Sequence, residues 1–135
     1  TGALAGGPVA VACCAPGERH TLGLLMITDM LRAGGIDVHI LGEGAPAESV
    51  RDLAVELGAD LLCLSVALEI HLPEAADLIA LVRSARPEIV VAAGGRAFGG
   101  QESRALAVGA DHFAADARGV RGLAPRLLDA MGLNG

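Results

Sequence analysis

The side chains with the most chemistry to offer lie in one heptapeptide, Gly17-Glu18-Arg19-His20-Thr21-Leu22-Gly23, between an apolar run at Val9–Cys14 and a helix-like segment at Leu22–Ala33. A neutral imidazole such as that of His20 is a good transition-metal ligand, and a nearby carboxylate can hold its other ring nitrogen. Side chains two positions apart share one side of an extended segment, whereas on a helix that spacing separates them. The expectation is a metal-ligating His20 oriented by Glu18, which would fix the tautomer and raise the basicity of the ring. An ordinary surface histidine is the competing reading of this heptapeptide taken alone.

Two later loops carry residues of the same kind. Ser65 closes the apolar run Asp60–Ser65, and the carboxyl end of a parallel strand is where such sheets bind ligands. A hydroxyl that merely caps a loop would look alike in sequence. Gly94-Gly95 follows the run Ile89–Ala93, and paired glycines let a backbone approach a flat ligand or nucleotide tail with no Cβ in the way. A simple tight turn is the plain alternative. Arg96, next along, is a reasonable neighbour for a phosphate or a propionamide.

Glu18-x-His20-x-x-Gly23, Ser65 and Gly94-Gly95 together resemble the cobalamin-binding domain family, whose motif runs Asp-x-His-x-x-Gly, Ser-x-Leu, Gly-Gly. The resemblance spans about Val9 to Arg126. Glu18 in place of Asp looks more like the branch of cobalamin-dependent photoreceptors and transcription regulators than like the mutases. After Ser65 the leucine comes at Leu68 and not two residues on, which leaves the local geometry of that anchor open.

The resemblance implies a cofactor bound base-off and His-on: the benzimidazole leaves cobalt and threads into the domain, His20 replaces it as lower ligand, and Ser65 bonds the buried base. The implied cofactor-binding set is Glu18, Arg19, His20, Thr21, Gly23 and Leu24 in the first loop, with Ser65, Val66 and Leu68 in the second. Gly94, Gly95, Arg96 and Phe98 complete it in the third loop, with Gly109 beyond. The cofactor would be adenosylcobalamin, methylcobalamin or hydroxocobalamin, its cobalt held by His20. The branch resemblance implies a sensory or regulatory module, responsive to light or to corrinoid, in which light breaks the upper cobalt–carbon bond and alters contacts with a partner. The alternative is the corrinoid subunit of a methyltransferase or mutase. Beyond Glu18 and His20 no loop pairs an acid with a base, and Asp29, Glu43 and Glu69 read as solvated carboxylates, so a non-catalytic binding or sensor domain is expected.

These loops must be positioned by a fold, and the hydrophobic pattern specifies one. Strands are expected at Pro8–Cys14, Ile36–Leu41, Asp60–Ser65, Ile89–Ala93 and Asp111–Ala114. Helices are expected at Leu22–Ala33, Glu48–Leu57, Pro73–Ala85, Gln101–Val108 and Asp116–Met131, the last broken or restarted at Pro125. In the first helix Leu22, Leu24, Leu25, Ile27, Met30 and Leu31 read as the apolar face, interrupted by Thr28. Alternation of strand and helix predicts an α/β fold, a doubly wound five-stranded parallel sheet of flavodoxin-like, Rossmann-like type in the order 2-1-3-4-5. The loops after strands one, three and four then converge. His39 alternates with apolar neighbours on the second strand and reads as solvated. His71 reads as solvent-facing, with the corrin edge or cobalt itself as its functional alternative.

Composition limits the remaining options. At 135 residues the chain is one domain over 1–135, with 1–7 expected to be flexible. Two Phe, no Trp, no Tyr and a net charge of −6 argue against direct nucleic-acid binding, which needs stacking surfaces and cations. Cys13, Cys14 and Cys63 lie in strand-like runs; an odd total of buried thiols suits a reducing, cytoplasmic setting. No signal peptide or membrane span is read. A receiver domain would want an acidic cluster after the first strand, and a dinucleotide binder Gly-x-Gly-x-x-Gly; Ala15–Gly23 supplies neither. Expected partners are cobalamin and another protein, or a helical or DNA-binding domain on a longer chain, with a homo-oligomer possible. The sequence starts without Met and lacks the helical bundle that usually precedes this domain, as a fragment would.

Overall fold

The computed structural model describes residues 7–132, apart from the side chain of Ala117. The expected flexibility of residues 1–7 thus falls, Gly7 excepted, outside the described residues. Five strands, β1 (Val9–Cys14), β2 (Asp37–Ile40), β3 (Leu61–Ser65), β4 (Val90–Gly94) and β5 (His112–Ala114), alternate with helices α1 (Leu22–Ala33), α2 (Ala47–Leu57), α3 (Leu72–Ala85), α4 (Glu102–Ala107) and α5 (Ala117–Ala130). All pairings are parallel, in the order β2-β1-β3-β4-β5. Reversal of strand order between β1 and β3 opens a crevice at the carboxyl ends, the place where doubly wound sheets bind ligands.

β1 and β3 are buried at every position, as continuous apolar runs in a central parallel strand must be. Alternate residues feed two cores. Val11, Cys13, Leu62, Leu64 and Val91 pack under α2 and α3, while Ala10, Ala12, Leu61, Cys63 and Ala92 pack under α1 and α5. The second core is small-sided on its strands, and this matters for the site.

Two sequence expectations change. Helix α5 runs unbroken through Pro125. Pro125 sits on the exposed side, and the buried Val120, Leu123, Ala124 and Leu127 hold the helix onto the sheet. In α1 the buried stripe is Leu24, Ile27, Thr28 and Leu31, with Leu22 75% exposed. Thr28 is accommodated because its hydroxyl donates to the Leu25 carbonyl at 2.8 Å.

Candidate functional site

The loop after β1 has neighbours on both sides, since β1 lies between β2 and β3. It begins with a tight turn in which Glu18 N–H donates to the Ala15 carbonyl at 3.0 Å and Gly17 adopts φ +84°. Past this turn Glu18 and His20 find different partners. Glu18 turns towards the loop after β3. Its buried carboxylate accepts from Ala67 N–H at 2.7 Å, Leu68 N–H at 3.0 Å and His71 Nδ1 at 2.6 Å. His20 turns towards β2, where Nε2 lies 2.8 Å from the Leu41 carbonyl.

The expected Glu18 to His20 contact is corrected on this point, and the role passes to a backbone group. A carbonyl can only accept, so Nε2 carries the proton and Nδ1 of the neutral ring carries the lone pair. A ligating histidine whose other nitrogen donates to a backbone carbonyl is a common arrangement. Glu43 adds a further tether, accepting His20 N–H at 2.9 Å, so it is more than a solvated carboxylate. His71 is likewise not solvent-facing: its side chain is 17% exposed and paired with Glu18. Glu69 remains exposed but bonds Arg104 at 2.5 Å. His39 is half exposed beside Asp37 at 3.0 Å, as a solvated edge residue should be.

Thr21 caps α1, its hydroxyl accepting from Leu24 N–H at 3.1 Å. The same oxygen lies 3.0 Å from Ser65 Oγ. Two hydroxyl hydrogens are present and one is spent between the pair, so one remains for an incoming acceptor. Ser65 is buried at the last position of β3.

Beside this hydroxyl pair opens a slot of about 320 Å³ between the carboxyl half of the sheet and the first turns of α1 and α5. Its rim includes Thr21, Gly23, Ser65, Gly94, Gly95 and Arg96. Ala114, level with Gly94, and further in Ile27, Cys63, Ala92, Val120 and Leu123 complete the lining, all buried. Such a volume lies at the lower end of the ~300–1,000 Å³ range of small-molecule sites. The glycine pair has a backbone cause that the sequence reading missed. A Cβ on Gly94 would come within 2.8 Å of the Ala114 carbonyl oxygen, and one on Gly95, at φ +120°, would overlap the Val66 carbonyl oxygen. Absent side chains thus let β4 turn tightly against its neighbours while leaving the rim bare.

Of the residues singled out from sequence, Thr21, Gly23, Leu24, Ser65, Gly94, Gly95 and Arg96 meet at the slot. His20 stands at the neighbouring tip of β2, and Arg19 is exposed in the same loop. Glu18 acts behind them, joining two loops. Val66 and Phe98 are fully buried in the opposite core, Phe98 edge-on to Phe113 at 5.7 Å, and Leu68 is exposed beyond the Glu18 clamp. Gly109 precedes β5 at the opposite end of the sheet, packed near Ile79, and takes no part. The reading from sequence missed Cys63, Ala92, Ala114, Val120 and Leu123. A run of small residues facing one side of β3, β4 and β5 is the signal that marks them.

Burial raises the Cys63 thiol to about 12, and it raises Cys14 and Cys13 in the same direction. All three therefore stay neutral thiols, with Cys14 Sγ donating to the Glu18 carbonyl at 2.9 Å. Among the described residues no three His, Cys, Asp or Glu side chains gather to hold a bare metal ion. A single histidine beside a slot fits a metal that arrives inside its own macrocycle. The cradle without Cβ atoms and the spare hydroxyl proton fit a planar base on a nucleotide arm. No helix among the described residues is long and apolar enough to cross a membrane.

Comparison with known proteins agrees with this geometry. Dimethylamine corrinoid protein 3 of Methanosarcina mazei is 30% identical over 103 residues, 75% of this chain and 60% of that protein. D-ornithine 4,5-aminomutase subunit beta of Acetoanaerobium sticklandii is 30% identical over 98 residues, 65% of this chain and 13% of that subunit. The structure of Methanosarcina barkeri monomethylamine corrinoid protein superposes with a TM-score of 0.77 at 24% identity, covering 91% of this chain and 57% of that one. The chain therefore spans about half to three fifths of the length of the corrinoid proteins it matches. These relatives overturn the expectation of a photoreceptor, transcription regulator or other sensory module, because the curated sequences are corrinoid proteins and a mutase subunit. Glu18, which suggested the regulatory branch, serves here to clamp the loop after β3, a task that does not depend on light or on an output domain. The model of the B12 binding domain matches residues 8–121, and the chain belongs to the B12-binding domain family.

Proposed function

We propose that this chain is the cobalamin-carrying domain of a corrinoid-dependent methyltransferase system, binding its cofactor base-off with His20 as the lower ligand to cobalt. The observation that carries the reading is the slot beside the Ser65–Thr21 hydroxyl pair, one loop away from an imidazole whose Nε2 proton is already committed to a backbone carbonyl. When bound, the corrinoid supplies the cobalt centre through which a one-carbon group is taken up and given away. The chain's own residues bind and orient. His20 offers a lone pair at the open end of the sheet, the hydroxyl pair offers one donor to a ring nitrogen, and the bare rim at Gly94 and Gly95 admits the nucleotide arm. Arg96, exposed at the rim, is placed to meet the phosphate of that arm.

Likeness to a dimethylamine corrinoid protein favours methyl transfer over rearrangement. A mutase subunit is the second reading, supported by the match to the aminomutase. Visible spectra of hydroxocobalamin titrated with the protein test the binding mode. Displacement of the benzimidazole is expected with the native chain and not with His20→Ala. Native-chain spectra identical to free cofactor would refute it. Methyl transfer from methylated amines, reconstituted with candidate partner proteins, separates the two readings.

A further inference from the structure

The two helix layers carry opposite charge. Helices α2 and α3, on one side of the sheet, bring five carboxylates against two arginines, and both arginines are paired, Arg51 with Asp52 and Arg83 with Asp111. Helices α1 and α5, on the other side, bring four arginines against two aspartates. Three of those arginines, Arg118, Arg121 and Arg126, stand exposed on α5 and bond no side chain or carbonyl among the described residues. At i, i+3 and i+8 they share one helix face over about 12 Å. Gly122 is exposed in the same face, and a Cβ there would meet nothing within 4 Å. Glycine inside a helix costs stability, and no packing within the chain requires this one. It leaves a notch with Arg118 and Arg126 one turn away on either side. Helix α2 presents the inverse. Glu48, Asp52 and Glu56, at i, i+4 and i+8, form an exposed acidic row of the same length. Val55 is 50% exposed on that face and belongs to neither core.

We infer that the α5 face of one copy docks the α2 face of a second copy, Val55 entering the notch at Gly122 while the three arginines meet Glu48, Asp52 and Glu56. Rows of opposite charge with matching length give the contact its register. Exposed ion pairs contribute little by themselves, and the valine supplies the apolar area they lack. The two faces lie on opposite sides of the sheet, so the contact is heterologous: each copy uses one face, keeps the other, and growth continues head to tail. A net charge of −6 sets copies of the chain against one another, so the association is weak and depends on the short-range attraction between the two layers. Salt should therefore dissolve it. Neither face includes His20 or the strand tips, and the site described above stays open along such an assembly.

The test is sedimentation velocity of the full chain from about 10 µM to about 1 mM, the range in which weak contacts populate. At low salt the average mass should rise with concentration past that of a dimer, and at about 0.5 M sodium chloride it should return to that of the monomer. Arg121→Glu and Glu56→Arg should each weaken association roughly tenfold or more. Both positions are exposed, and circular dichroism should show native helix content in each variant. Gly122→Leu, which fills the notch without altering charge, should weaken association as well. An equimolar mixture of Arg121→Glu and Glu56→Arg should associate again, because each retains one intact face. A native chain that stays monomeric throughout the low-salt series overturns the inference. So does association that survives either charge reversal or the filled notch, since the contact would then lie on other faces, and growth that stops at a dimer overturns the head-to-tail arrangement.

Discussion

Removing the Glu18 carboxylate should loosen the fold around the site without touching the His20 imidazole proposed as the cobalt ligand. The carboxylate is buried and accepts three hydrogen bonds, from Ala67 N–H, Leu68 N–H and His71 Nδ1. Hydrogen bonds to charged groups contribute ~1.5–3 kcal/mol each, and a buried donor left unsatisfied costs ~1–3 kcal/mol. The three do not add in full, because Leu68 is exposed and Ala67 half-buried, so water can replace part of what they lose. Glu18→Ala should therefore cost about 2–4 kcal/mol. Urea unfolding would read this as a midpoint lowered by roughly 1–2 M with an unchanged slope, taking a slope of about 2 kcal/mol per M. His71→Ala should cost about 1–2 kcal/mol, and the double variant should lose less than the sum, with a coupling of at least about 1 kcal/mol. A loss below about 1 kcal/mol for Glu18→Ala, or no coupling to His71, would refute the clamp. Loss of base displacement in a folded Glu18→Ala variant would restore the direct Glu18 to His20 partnership that the structure rejects.

Gly95→Ala should be severe, at about 3 kcal/mol or more, since it adds backbone overlap with Val66 to a left-handed φ; Gly122→Ala, whose Cβ meets nothing within 4 Å inside α5, should stabilise by about 0.5–1 kcal/mol in the same denaturation assay. Ser65→Ala should weaken a dimethylbenzimidazole corrinoid several-fold and leave a phenolic one nearly unchanged, as direct titration would show. Alkaline stability offers a clean readout because every one of the 10 Lys and Arg residues is an Arg and there is no Tyr, which leaves the thiols as the side chains that titrate between pH 9 and 12. The Cys63 pKa is raised on folding, from 9.0 to about 12, so its contribution is whole below pH 9.0 and is lost as pH climbs towards 12, where the unfolded chain gives up its proton first. Melting temperature should fall progressively over that window, each shifted thiol contributing up to ~1.4 kcal/mol per pH unit, and Cys63→Ala should flatten the slope.

Much of this architecture is legible in the amino-acid order. Apolar runs such as Val9–Cys14 and Leu61–Ser65, separated by amphipathic stretches, leave few foldings open, and the order of the five strands follows from right-handed crossovers. Local chemistry was harder to read where it depends on tertiary neighbours. Two-residue spacing says nothing of the partners that tertiary neighbours offer: Glu18 pairs with His71 in the loop after β3, and His20 with the Leu41 carbonyl after β2. His71 lies 53 residues from Glu18 in the chain, a distance no spacing rule spans. Pro125 was misread because burial of Leu123, Ala124 and Leu127 outweighs one missing backbone bond. Gly94 and Gly95 were recognised as a place without side chains, but their cause lies in the backbones of β5 and the β3 loop.

The most direct test of the account labels histidine with ¹⁵N in the full chain, loads it with cobalamin, reduces the cobalt to its paramagnetic divalent state and records the electron spin resonance spectrum. Coordination by His20 predicts that each cobalt line splits into a doublet from one ¹⁵N nucleus, and that the splitting disappears in His20→Ala. A triplet from unlabelled ¹⁴N, unaffected by the label or the substitution, would mean that the benzimidazole still holds the cobalt, and would contradict the central claim.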